Sequence, residues 1–84
     1  MLFRSNPSTT ISFNLPKNEQ TELLIYSVDG AHVATLVNEP LTQGDHQVVW
    51  TGQNAAGQQV ASGTYFYQLR TPSFSETRMM TLVK

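Results

Sequence analysis

The chain has no cysteine. That removes disulfides, thiolate nucleophiles and zinc ribbons from its 84 residues. Charge is also scarce. Asp, Glu, Lys and Arg make up 13% of the residues, about half the ~25% of an average soluble domain. The net charge of −1 leaves no clustered basic surface of the kind that nucleic acid requires. No apolar run approaches the ~18 residues needed to span a bilayer. The opening Met1-Leu2-Phe3-Arg4-Ser5 is too short to be a signal peptide, so the signal of an exported parent is expected upstream. No window of about 11 residues keeps a helical period. At this length the chain is one domain at most.

What is present is period-2 alternation, interrupted by turn residues every ten residues or so. In Thr9-Thr10-Ile11-Ser12-Phe13-Asn14-Leu15 the apolar side chains fall on one face and the polar ones on the other, and Pro16 ends the strand. A second strand, about Thr21–Val28, has an ambiguous facing. Leu23 and Ile25 suit one face, Leu24, Tyr26 and Val28 the other, and a one-residue slip inverts them. Asp29-Gly30 predicts a two-residue type I′ hairpin turn. A return strand is expected at about His32–Asn38, with Pro40 and Gly44 bracketing the next loop, then a strand at about Asp45–Trp50.

Asn54-Ala55-Ala56-Gly57 fits a type I turn with glycine last. Thr64–Arg70 alternates most cleanly, and a final strand is expected at about Thr77–Lys84. The reading is an all-β, immunoglobulin-like antiparallel β-sandwich of six to seven strands. Its predicted core is Ile11, Phe13, Leu15, Ile25, Val33, Leu36, Val48, Trp50, Val60, Tyr65, Tyr67, Leu69, Met80 and Leu82.

Residues that could carry chemistry are few. His32 follows a turn and reads as exposed, and His46 alternates with Val48 and Trp50 at the rim of the core. There is no Ser nucleophile elbow, no carboxylate pair marked out for glycoside chemistry and no phosphate-binding glycine loop. Thr51 to Gly57 has the outline of a calcium loop. Its ligand positions, Thr51 and Asn54, are uncharged, and calcium affinity comes largely from carboxylates. Trp50, Tyr65, Phe66 and Tyr67 suggest a sugar-binding platform only if they are exposed, and the same alternation builds a core from them. The expectation is a non-catalytic module with no enzyme activity, no metal and no cofactor.

A series of landmarks runs in order along the chain: Asn6-Pro7-Ser8-Thr9-Thr10-Ile11, Leu15-Pro16, Ile25-Tyr26, Gly30, Val33, Leu36, Gly44, Trp50, Gly52, Gly57, Val60, Ser62-Gly63, Tyr65, Tyr67 and Met80-x-Leu82-x-Lys84. This series resembles the type A C-terminal sorting domain of proteins exported by the bacterial type IX secretion system. It also resembles the related immunoglobulin-like domain of flagellar hook-capping proteins. Ser27 and Thr51 stand where the family usually has Asp, which further weakens any metal reading.

The resemblance implies a domain spanning residues 6–84, with residues 1–5 an unrelated lead. In its sorting form the module directs a larger bacterial protein through the translocon to the cell surface. The last strand, with Arg78, Met80, Leu82 and Lys84, is then the recognition element. In its other form the module is structural or adhesive, packing against a neighbouring domain or assembling into a surface filament. The implied partners are thus the translocon, a neighbouring domain or further copies, with no nucleic acid and no membrane span.

Overall fold

Strands with one apolar face need a second layer to cover it, and this chain supplies both layers. The structure, a computed structural model, describes residues 8–83. Its strands are β1 (Thr9–Leu15), β2 (Glu19–Ser27), β3 (His32–Leu41), β4 (Gly44–Trp50), β5 (Gly63–Arg70) and β6 (Ser75–Leu82). β1 and β4 form a two-stranded sheet, and the other sheet has the order β3-β2-β5-β6. Every neighbouring pair is antiparallel. The result is the all-β sandwich that the alternation predicts.

Ile11, Leu23, Ile25, Trp50, Tyr65, Leu69 and Leu82 share one buried cluster between the sheets. The facing of β2 is therefore settled: Leu23 and Ile25 point inward, fully excluded from solvent. Leu24 lies on the outer face, yet it too is buried, as are Ala34 and the small polar Thr21. Of the predicted core, Ile11, Leu15, Ile25, Trp50, Tyr65, Leu69 and Leu82 are buried. Phe13, Val33, Leu36, Val48, Val60, Tyr67 and Met80 are partly buried against the cluster.

Trp50 and Tyr65 form the centre. Their rings meet edge to face with centroids 5.0 Å apart, an arrangement that the ring quadrupoles favour. Each also satisfies its polar atom. Trp50 Nε1–H donates to the Gln53 carbonyl at 3.0 Å, and the Tyr65 hydroxyl donates to the Ala61 carbonyl at 2.6 Å. A tyrosine near the start of a strand bonding backbone just upstream is the tyrosine corner of immunoglobulin-like sandwiches.

Val33 and Leu36 are three residues apart, so a regular strand would place them on opposite faces. Two bulges remove the conflict. Against β2 the register jumps from Val37 to Thr35 and from Ala34 to His32, leaving Leu36 and Val33 as the extra residues.

Three expectations are corrected. The Asp29-Gly30 loop is not a type I′ turn, because that turn needs positive φ at both central residues and Asp29 does not adopt it. Gly30 N–H bonds the Ser27 carbonyl and Ser27 N–H bonds the Ala31 carbonyl. With Gly30 at φ 86°, this is a three-residue loop ending in a glycine bulge. Next, β3 runs through Pro40 to Leu41, where a loop was expected. As an edge strand it tolerates a residue that has no N–H to donate. Finally, β6 spans Ser75–Leu82, two residues earlier than read. Thr71 closes the preceding turn onto Phe74 in both directions: its N–H donates to the Phe74 carbonyl, and its Oγ1 accepts from Phe74 N–H.

Candidate interaction surface

The residues that could do chemistry are dispersed. His46 is half-buried, stacked on Phe13 with ring centroids 5.5 Å apart, and its Nε2 bonds the Thr42 carbonyl at 2.7 Å. His32 is exposed and lies within 3.0 Å of Thr35 Oγ1. The Asn54 Oδ1 of the candidate calcium loop is occupied, accepting from Ala56 N–H and Gln58 N–H at 3.0 Å each. Among the described residues no cluster of metal-ligating side chains forms. The sugar-platform reading fails on burial: Trp50 is 1% and Tyr65 9% exposed, so neither ring can lie against a ligand.

Several of the charged groups make local contacts over the surface. Arg70 grips Glu22 across β5 and β2 with two bonds, 3.1 and 3.2 Å long. This contact holds the arginine's pKa above its ordinary value. Ser73 Oγ donates to Glu19 Oε2 at 2.6 Å, tying the β5–β6 turn to the start of β2. That bond leads the causes that lower the Glu19 carboxyl. Asp29 is lowered chiefly by the Ser27 hydroxyl beside it. Arg78 is raised chiefly by its bond to Glu76 on the same strand.

The predicted recognition strand has a mixed character. Leu82 is fully buried, Met80 is partly buried against the core, and Arg78 is exposed. Lys84 lies outside the described residues. Arg78 and Glu76 stand on the face that Met80 and Leu82 turn inward. There they line a groove of about 300 Å³ whose other walls include Phe13, Tyr67 and Leu69. The groove opens between β1 and β6, at the side where the two-stranded sheet leaves the four-stranded one uncovered.

The sequence reading missed the outer face of the four-stranded sheet. Pairing brings Tyr26 beside Phe66 and Phe66 beside Met79, and Met79 is 69% exposed. The signal was available in the strict alternation of β5, which must put Phe66 opposite to Tyr65 and Tyr67.

The family model for the FlgD Ig-like domain matches residues 3–73. A crystal structure of FLGD from P. aeruginosa superposes with a TM-score of 0.72 at 21% identity, over 89% of this chain and 58% of that one. Identity this low shows a shared fold. The chain therefore spans less than two thirds of that protein. No curated protein matches it.

Proposed function

Because the chain belongs to the FlgD Ig-like domain family, we propose that it is a structural, non-catalytic module of a larger protein that works by contact with neighbouring domains or further copies. The observation that carries this reading is the family match itself, which runs from residue 3 to residue 73. The surface agrees with it. The sandwich is closed around Trp50, the two histidines are bonded apart from one another, and among the described residues no cluster of metal-ligating side chains forms. What the module offers a partner is shape, sheet edge and a few apolar side chains, which is what spacers and assembly contacts use.

The alternative is the sorting signal, in which a type IX translocon reads the folded domain and the last strand through Arg78, Met80, Leu82 and Lys84, and the parent protein reaches the cell surface. It rests on the ordered landmarks alone. The family match stops before β6, so the strand that this alternative most needs has no counterpart in the match.

Secretion separates the two readings. The whole chain is fused to the C-terminus of a reporter and expressed in a host that has the translocon, beside an established sorting domain as control. The structural reading expects the control reporter in the medium or on the surface and the test reporter retained in the cell. Export of the test fusion, abolished by removing residues 80–84, would replace the structural reading by the sorting one.

A further inference from the structure

A sheet edge is a row of backbone donors and acceptors that folded proteins usually protect. In the four-stranded sheet the β3 edge is protected, by Pro40 and by the two bulges. The β6 edge is not. Its register against β5 is unbroken from Leu82 to Ser75, and the strand contains no proline and no lysine.

Hydrogen-bond parity fixes which residues face out. Ser27 N–H bonds the β3 side, to Ala31, so the odd-numbered residues of β2 face β3 and the even-numbered ones face β5. Carried through the pairing of β2 with β5 and of β5 with β6, this turns the even-numbered residues of β6 toward β5. Its odd-numbered residues face outward. An independent contact agrees: Thr81, an odd residue, gives its carbonyl to Thr9 Oγ1 at 3.2 Å. That bond occupies the top of the edge. Among the described residues no strand pairs with the outward side of Ser75–Met79, and all five of these residues are exposed.

We propose that this stretch is a self-association edge, through which two copies of the chain pair β6 with β6 in antiparallel register about a two-fold axis at Thr77. One register uses the whole stretch, and it places Thr77 opposite Thr77 and Ser75 opposite Met79 of the second copy. The outward backbone groups of Ser75, Thr77 and Met79 are then all paired. The same register sets Glu76 opposite Arg78 of the second copy, and Arg78 opposite its Glu76. These fall at the non-hydrogen-bonded positions, where facing side chains approach most closely. Inward-pointing charge is one device that discourages edge pairing. Here the two charges are opposite in sign and symmetrically placed, so they become complementary across the axis. In the single chain Glu76 and Arg78 bond each other, and on pairing they exchange partners. The two four-stranded sheets become one, with both two-stranded sheets on the same side. The inference rests on the structural reading above and specifies its partner.

The test is sedimentation equilibrium of the 84-residue chain at rising concentration, with four variants. The wild type should show a monomer–dimer equilibrium. Thr77→Pro should abolish it while leaving the melting curve in place, because the lost N–H faces outward and serves no bond to β5. Arg78→Glu alone and Glu76→Arg alone should each weaken the dimer by roughly tenfold or more, since like charges then face each other twice. An equimolar mixture of those two should associate again, because each Glu then meets an Arg. The double swap, Glu76→Arg with Arg78→Glu, should dimerise as the wild type does. A wild type that stays monomeric at millimolar concentration overturns the proposal but leaves the structural reading standing. A dimer that Thr77→Pro does not touch, or single reversals that do not complement each other, overturns it as well, and assigns association to another surface. Higher oligomers lost with Thr77→Pro would also count against it, since two-fold pairing closes on itself.

Discussion

Replacing Trp50 by alanine should remove about 3–5 kcal/mol of stability, the range for deleting a large aromatic from a packed core. A domain of this size has roughly 4–12 kcal/mol in total, so the variant should be close to unfolded at room temperature. The loss has separable parts. The indole is 1% exposed and meets the Tyr65 ring edge to face, so alanine leaves a cavity that the flanking sheets cannot close. It also ends the Nε1–H bond to the Gln53 carbonyl, which helps hold the long turn after β4. Trp50→Phe keeps the ring contact and loses the bond, so it should fall well short of the alanine loss. Urea unfolding followed by circular dichroism reads both. A loss below about 1 kcal/mol for Trp50→Ala, the range of surface changes, would place the indole on the surface.

The second large effect is expected at the far end of the chain. Leu82 is fully buried, and its methyls lie against Gly52. A Cβ built on that glycine would stand 3.1 Å from Leu82 Cδ2, so the leucine packs directly onto backbone. Leu82→Ala should cost about 2–5 kcal/mol. Met79→Ala, three residues earlier on the same strand but 69% exposed, should stay within about 0.5 kcal/mol. The contrast is a test of facing: a strand slipped by one residue would exchange the odd and even positions. Equal losses at the two sites would contradict the register found for β6. The pair also separates anchoring from contact in any secretion assay, because a Leu82 variant fails through instability whatever the strand recognises.

The alternation of β1 and β5 made those strands legible, since each has one face that must be buried and turn residues at its ends. β2 was not legible in the same way. Its Leu23, Leu24 and Ile25 are all buried, because outer-face neighbours cover Leu24, and a pattern in one strand does not reveal what the next strand lays over it. The bulges of β3 were invisible for a related reason. Val33 and Leu36 both pack against the core, but only the pairing with β2 shows how both can face inward. The turn after β2 carried the expected residues with a different hydrogen-bond pattern, since Asp-Gly suits both a two-residue loop and a three-residue loop that ends in glycine.

Burial could be foreseen for Trp50 and Tyr65, which disposed of the sugar platform, and Asn54 was foreseen as a turn former. The face made by Tyr26, Phe66 and Met79 needed the strand order, which no local pattern specifies. Which end of β6 is anchored also emerged only from three dimensions. Leu82 fills the core beside Gly52, while Glu76 and Arg78 stand at the open side of the sandwich.

On the proposal above, this module is closed around its own core and meets its partners through the outward edge of β6. Residue-resolved amide hydrogen exchange tests it most directly, on a dilute sample where the chain is monomeric. Arg78 and Met80, whose N–H groups point to β5, should exchange slowly along with the central strands β2 and β5. Thr77 and Met79, whose N–H groups point outward, should exchange at nearly the rate of an unfolded chain. At concentrations where the dimer forms, Thr77 and Met79 should become protected too, with little change at Arg78 and Met80. Uniform protection along β6 in the dilute sample, or fast exchange at Arg78 and Met80, would contradict the claim, because the strand would then have no free edge or no firm place in the sheet.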